Sequence, residues 1–177
     1  KLFHYEWSGI KPDVMAIAKA IGGGFPLGAF MATKEAARGM IAGTHGSTFG
    51  GNPLGTAVGN AVLDVVLAEG FLEHVRAMGA RLRQKLGAVQ AQHAGVIEQV
   101  RGEGLMIGLK LVPNNAEFAA AARAEHLLVI PAGDNVVRLL PPLIIDEKLA
   151  DDALHRLDAA CARIEAEHGF TATGSAA

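Results

Sequence analysis

Lys19-Ala20-Ile21-Gly22-Gly23-Gly24-Phe25-Pro26-Leu27-Gly28-Ala29 is the stretch on which the reading of this chain turns. A lysine precedes a run of glycines, backbone that can turn with positive φ or pass close to a bulky planar ligand. The apolar neighbours Ile17, Ala18, Ala20 and Ile21 would desolvate the Lys19 amine and favour its neutral form, the form that condenses with an aldehyde. The same position equally suits a lysine complementing the dipole in the last turn of a helix. Upstream, Val14, Ile17, Ala18 and Ile21 fall at i, i+3, i+4 and i+7, with Pro12 and Asp13 ahead of them. That spacing predicts a short helix stopping at Gly22. Downstream, residues 27–32 read as a short buried strand.

Further along lies Gly46-Ser47-Thr48-Phe49-Gly50-Gly51-Asn52-Pro53. Asn52 is a natural N-cap and Pro53 suits a first helical turn, with Val58, Val62, Val65 and Val66 as the apolar face of the helix that follows. Hydroxyls and free N–H groups ahead of a helix N-terminus make an anion pocket for which phosphate is the usual guest. Serine and threonine turn bonding in a glycine-rich connection is the plainer alternative.

Gly70 punctuates that helix, and the texture changes after it. Residues 71–93 predict a long amphipathic helix with Arg76, Arg81, Arg83 and Lys85 on its wet side. Strand-like runs follow at 105–111, 127–130 and 136–140, and helical patterns at 116–125 and 147–167. A domain boundary is expected near Gly70, with a small α+β domain behind it. The tail at 171–177 is small and polar and is expected to fray. In the run Gly133-Asp134-Asn135-Val136-Val137-Arg138-Leu139-Leu140-Pro141-Pro142-Leu143, an arginine interrupts an apolar strand. A lone buried charge is expensive, so Arg138 calls for a carboxylate. A ligand could supply it, as could Asp134, Asp146 or Glu147.

Composition excludes several classes. The chain has 177 residues, 16 Lys+Arg against 18 Asp+Glu, and 50% hydrophobic residues. It can bury a core, and its net charge of −2 offers no basic excess for nucleic acid or an anionic membrane. No run reaches the ~18 apolar residues of a membrane span. Cys161 is the lone cysteine, which fits a reducing, cytoplasmic setting. The seven histidines form no i, i+4 pair and no cluster with Cys161, so no metal site is expected. Phosphate-loop, dinucleotide and serine-hydrolase signatures are absent; Gly102-Glu103-Gly104 with Gly108 misses the dinucleotide spacing by a residue.

Four segments, in order, resemble the pyridoxal-phosphate-dependent aminotransferases of class III, of the ornithine/acetylornithine type. Residues 19–29 look like the family's Schiff-base segment, and His45-Gly46-Ser47-Thr48-Phe49-Gly50-Gly51-Asn52-Pro53-Leu54 like its phosphate loop. Arg101-Gly102-Glu103-Gly104-Leu105-Met106-Ile107-Gly108-Leu109-Lys110-Leu111 and residues 138–143 look like its small-domain motifs. The run at 131–138 is most like the acetylornithine branch. Ala20 stands where many relatives have glycine.

The resemblance implies an α/β fold. Residues 1–70 would be the C-terminal part of the fold type I large domain, and 71–177 the small α+β C-terminal domain. It implies that Lys19 holds pyridoxal 5'-phosphate as an imine and shuttles a proton, that Thr48 and Ser47 bind its phosphate, and that Arg138 binds a substrate carboxylate. In relatives the phosphate loop reaches the neighbouring subunit's site, which implies a homodimer. The implied reaction moves the δ-amino group of N-acetylornithine to 2-oxoglutarate, a step of arginine biosynthesis. Ornithine, succinylornithine or 4-aminobutyrate are alternative donors. The family's Asp-Glu-x-Gln-x-Gly segment, whose Asp pairs with the pyridinium nitrogen, lies before the counterpart of Lys1. The chain is therefore expected to be about the last half of such an enzyme and inactive alone; a non-catalytic module is the alternative from another class.

Overall fold

The computed structural model describes residues 1–169, so the tail at 171–177 lies outside the described residues. The chain forms two compact units, Lys1–Leu72 and a second from Glu73 onward.

In the first unit a short helix, α1 (Tyr5–Ser8), precedes β1 (Val14–Ala18), a 3-10 turn at Ala20–Gly22, and β2 (Gly28–Ala32). β1 and β2 pair antiparallel from Val14↔Ala32 to Ala18↔Gly28. The helix expected over this segment is therefore corrected to a strand. Every residue from Val14 to Ala18 is apolar, so the run fits either period, and in the strand Met15 and Ile17 are the half-buried positions. The ladder to β2 satisfies a backbone that a two-turn helix would leave largely unpaired. β2 forms as the sequence predicts, but it is exposed along its length rather than buried, with β1 as its partner among the described residues.

α2 (Pro53–Val66) begins as its sequence dictates. The Asn52 side chain accepts from Gly55 N at 2.7 Å, and Pro53 sits in the first turn. Its inner face is lined by buried Gly55 and Gly59 with half-buried Val58, Val62 and Val66, whereas Val65 is 54% exposed and does not belong to it. The glycines matter because the 3-10 turn packs here. A Cβ on Gly59 would lie 3.0 Å from Leu27 Cδ2, and one on Gly23 would lie 2.9 Å from Val62 Cγ2.

The second unit is a four-stranded antiparallel sheet in the order β3-β4-β6-β5, built from Ile97–Glu103, Met106–Leu111, Val136–Leu139 and Ile130–Ala132. Helices α3 (Phe71–Gln92), α4 (Asn115–Ala124) and α5 (Glu147–His168) share a core with one face of it. Leu82, Leu86, Ile107, Leu109, Phe118, Val137 and Leu157 belong to that core. β3 was not expected from the sequence: as a polar-rich edge strand with a register break between Ile97 and Gln99, it shows no clean alternation. The strand expected at 127–130 begins only at Ile130, where β6 becomes available as a partner. Pro131 suits β5 because β5 lies at the sheet edge. Among the described residues, no single helix is long and apolar enough to cross a membrane.

Candidate functional site

In the first unit the site is built around Lys19, where β1 hands the chain to the 3-10 turn. Its backbone has φ 63° and ψ −85°, a conformation sterically hostile to a residue with a Cβ. Such strain costs of order 1–3 kcal/mol and persists only where the surroundings over-determine it. They do so here. Lys19 N donates to Leu27 O at 3.2 Å, Lys19 O accepts from Gly22 N at 2.9 Å, and the turn is pressed against α2. Lys19 is exposed among the described residues. No helix ends at Lys19, so the dipole-complementing alternative has nothing to act on.

The loop at 46–52 is held by its own side chains. Ser47 Oγ accepts from Gly50 N at 2.9 Å, and Asn52 Nδ2 donates to Phe49 O at 2.8 Å. Ser47 is thus engaged in a turn, as the plainer alternative anticipates. Thr48 is exposed, and its hydroxyl has no partner among the described residues. His45 sets the loop's entry against β2, its ring edge-on to Phe30 with centroids 6.4 Å apart. A primary amine and an uncommitted hydroxyl are the residue types that an aldehyde-bearing phosphate ester requires, so the chemistry of Lys19 and Thr48 fits pyridoxal phosphate; at the α2 N-terminus Pro53 has no N–H and Gly55 N is taken by Asn52.

In the second unit Arg138 lies on β6, opposite Gly108 of β4 and Ile130 of β5. Ile107, Leu109 and Val137 face the helices, so the alternating positions Gly108, Lys110 and Arg138 face away from them. Arg138 is exposed rather than buried in an apolar strand, and its side chain has no ion pair or hydrogen bond among the described residues. Its three candidate protein partners are engaged elsewhere. Asp134 binds Arg101 Nη2 at 3.0 Å and also Lys110; Asp146 caps α5 through Leu149 N at 2.7 Å; Glu147 lies 3.2 Å from Arg81. The Lys110 ammonium, and next the Arg101 guanidinium, hold the Asp134 carboxyl below the usual carboxylate range.

Sequence reasoning missed the residues that fix this strand. Asn135 is left-handed with φ 51°, and its side-chain amide donates to Leu111 O at 2.7 Å and Pro113 O at 2.8 Å. Its Oδ1 accepts from Asn115 N at 2.9 Å, and Asn115 in turn donates to Ala132 O at 2.8 Å. The available signal was Gly133-Asp134-Asn135, a turn composition that tolerates positive φ. Cys161 offers no nucleophile: burial first, then Glu165 and Asp158, push its thiol up to about 12.

The aminotransferase class-III family model matches residues 1–161. The chain is 54% identical over 173 residues to an acetylornithine aminotransferase of Brucella melitensis, covering 98% of this chain and 43% of that protein. It thus spans about two fifths of the length of the curated relatives it matches. The solved acetylornithine aminotransferase of Elizabethkingia anophelis superposes with a TM-score of 0.83 at 31% identity, over 92% of this chain and 42% of that one. The ornithine aminotransferase of Toxoplasma gondii, whose crystal structure shows partial occupancy of PLP at the active site, gives 0.88 at 27% identity, over 96% and 41%. The mixed α/β architecture expected from the sequence is that of these neighbours.

Proposed function

Since the chain belongs to the class-III aminotransferase family, we propose that it supplies part of the active site of an enzyme that moves the δ-amino group of N-acetylornithine to 2-oxoglutarate. The observation that carries the reading is the strained backbone of Lys19, placed inside a family motif at the mouth of a tight turn. The relative at 54% identity favours acetylornithine over the other donors of the class. Residues 1–70 would complete the large domain and 71–177 form the small one, in a cytoplasmic homodimer serving arginine biosynthesis.

When bound, pyridoxal phosphate supplies an electron sink that acidifies the C–H bond beside the transferred nitrogen. Lys19 anchors the cofactor through its amine. The turn and the ladder fix the Lys19 Cα, and Nζ, once displaced by substrate, can take and return the proton at that carbon. Thr48 donates its hydroxyl to the phosphate, aided by the α2 N-terminus and, in the assembled dimer, from the neighbouring subunit. Ser47 supports the loop through its bond to Gly50 N. Arg138 presents a planar fork that accepts a substrate carboxylate through two parallel hydrogen bonds.

Borohydride reduction of the full-length protein in the presence of pyridoxal phosphate, followed by peptide mapping, tests this directly. The adduct is expected on Lys19. An adduct on Lys11 or Lys34 overturns the assignment. The 177-residue chain alone is expected to show no transamination.

A further inference from the structure

The outer face of the second unit's sheet gathers more cations than the reading of Arg138 uses. Arg101, Gly108 and Arg138 stand in one cross-strand row on β3, β4 and β6, and Lys110 lies two residues along β4 on the same face. The Arg101 stem lies over Gly108 on β4: a Cβ there would be in ordinary contact with it, 3.5 Å from Arg101 Cγ and 3.9 Å from Arg101 Nε, and would press at 3.1 Å on Val136 Cγ1. The Arg101 guanidinium then reaches Asp134 Oδ2 at 3.0 Å, while Lys110 takes Oδ1. Each carboxylate oxygen of Asp134 therefore serves a different cation. Asp134 is itself held in a left-handed turn with φ 59°, next to Asn135 with its anchoring bonds.

We propose that Asp134 is a specificity-determining residue for this face: by occupying Arg101 and Lys110 together, it leaves Arg138 as the cation to which a ligand carboxylate is directed. The proposal rests on the reading of Arg138 as a carboxylate ligand. Without Asp134, a carboxylate arriving at the row would find three cations within a few side-chain lengths and could bind across Arg101 in a displaced pose. With it, Arg101 and Lys110 are neutralised locally, and the planar fork of Arg138 fixes both the position and the orientation of the incoming group. Asn is the informative replacement, because it removes the charge yet tolerates the left-handed backbone.

The test uses the full-length protein and succinate as the probe, following arginine Nε–H resonances by ¹⁵N-edited NMR, assigned with Arg101→Lys and Arg138→Lys. In the wild type, succinate should shift the Arg138 signal and leave Arg101 in place. In Asp134→Asn it should shift both, and total succinate affinity should rise about threefold to tenfold as a compensating charge is lost. If Arg101 responds as strongly as Arg138 in the wild type, or if Asp134→Asn changes neither pattern nor affinity, the role of Asp134 is overturned while Arg138 stands. If neither arginine responds in either protein, both readings fall.

Discussion

Among the described residues, the unit at Lys1–Leu72 fully buries only Gly22, Gly55 and Gly59, whereas the unit from Glu73 onward encloses a continuous apolar core that includes Leu86, Ile107, Phe118 and Leu157. The first unit holds its geometry through backbone: a two-stranded ladder, a capped helix, and glycines that let a turn touch α2. The second holds its geometry through burial, and displays Arg138 on the sheet face that the core does not use. The contrast separates two ways of placing a functional side chain. Lys19, the proposed imine-forming residue, is held by local strain, and Arg138, the proposed carboxylate ligand, is placed by register on a packed sheet.

Phe118→Ala should have the largest effect on stability. Removing a fully buried aromatic costs about 3–5 kcal/mol, to be read as a lowered urea midpoint of the second unit. Phe30→Ala on the exposed β2 should cost under ~1 kcal/mol. Equal losses would break the contrast between the units.

Arg138→Ala comes next. Loss of one partner of a desolvated charge pair costs roughly 2–5 kcal/mol, so kcat/KM of the full-length enzyme for both carboxylate-bearing substrates should drop by about two to three orders of magnitude. The melting temperature should hold, and Arg138→Lys should not restore the Michaelis constants. A uniform loss that includes amines lacking a carboxylate, with a lowered melting temperature, would make Arg138 a structural residue.

Thr48→Val should weaken cofactor retention by about ten- to a hundredfold, since a hydrogen bond to a charged group contributes roughly 1.5–3 kcal/mol. Circular dichroism should be unchanged. Mixing Lys19→Ala subunits with Thr48→Val subunits sharpens the point. If Thr48 acts in trans, one site of each heterodimer is intact and activity returns; no recovery in confirmed heterodimers places it in cis.

The smallest effect belongs to Asp151, whose carboxyl is held below its ordinary value chiefly by its bond to Lys85, with Arg81 adding to it. A carboxyl with a depressed folded-state value stabilises above its unfolded value, and loses that contribution as pH falls through the folded one. Wild type and Asp151→Asn should therefore differ slightly in urea midpoint near neutrality and converge below about pH 4. A difference that grows on acidification would contradict the ion pair.

How legible each element was depends on how far away its partners lie. α2 was readable from Asn52 and Pro53 because capping and helical bonds close within four residues, and Asn52 does accept from Gly55 N. The long helices were readable for the same reason, since their apolar stripes repeat locally. Val14–Ala18 was misread because its apolar residues satisfy both periods, and the tie was broken by β2, a segment beyond the glycine turn.

What the sequence determined by itself is the set of motifs in family order, the helices with their caps, and the residue types that could carry the chemistry. What the tertiary structure decided is the state in which those residues are held. Lys19 became strained because a ladder on one side and a turn on the other left its backbone no relaxed choice. Asp134 was claimed by Arg101 and Lys110, which lie 33 and 24 residues away along the chain, and the Arg138 side chain has no partner among the described residues. The physical reason is range. Helix hydrogen bonds and caps are written between near neighbours, whereas strand pairing and the allocation of a carboxylate among competing cations are settled only when distant segments meet.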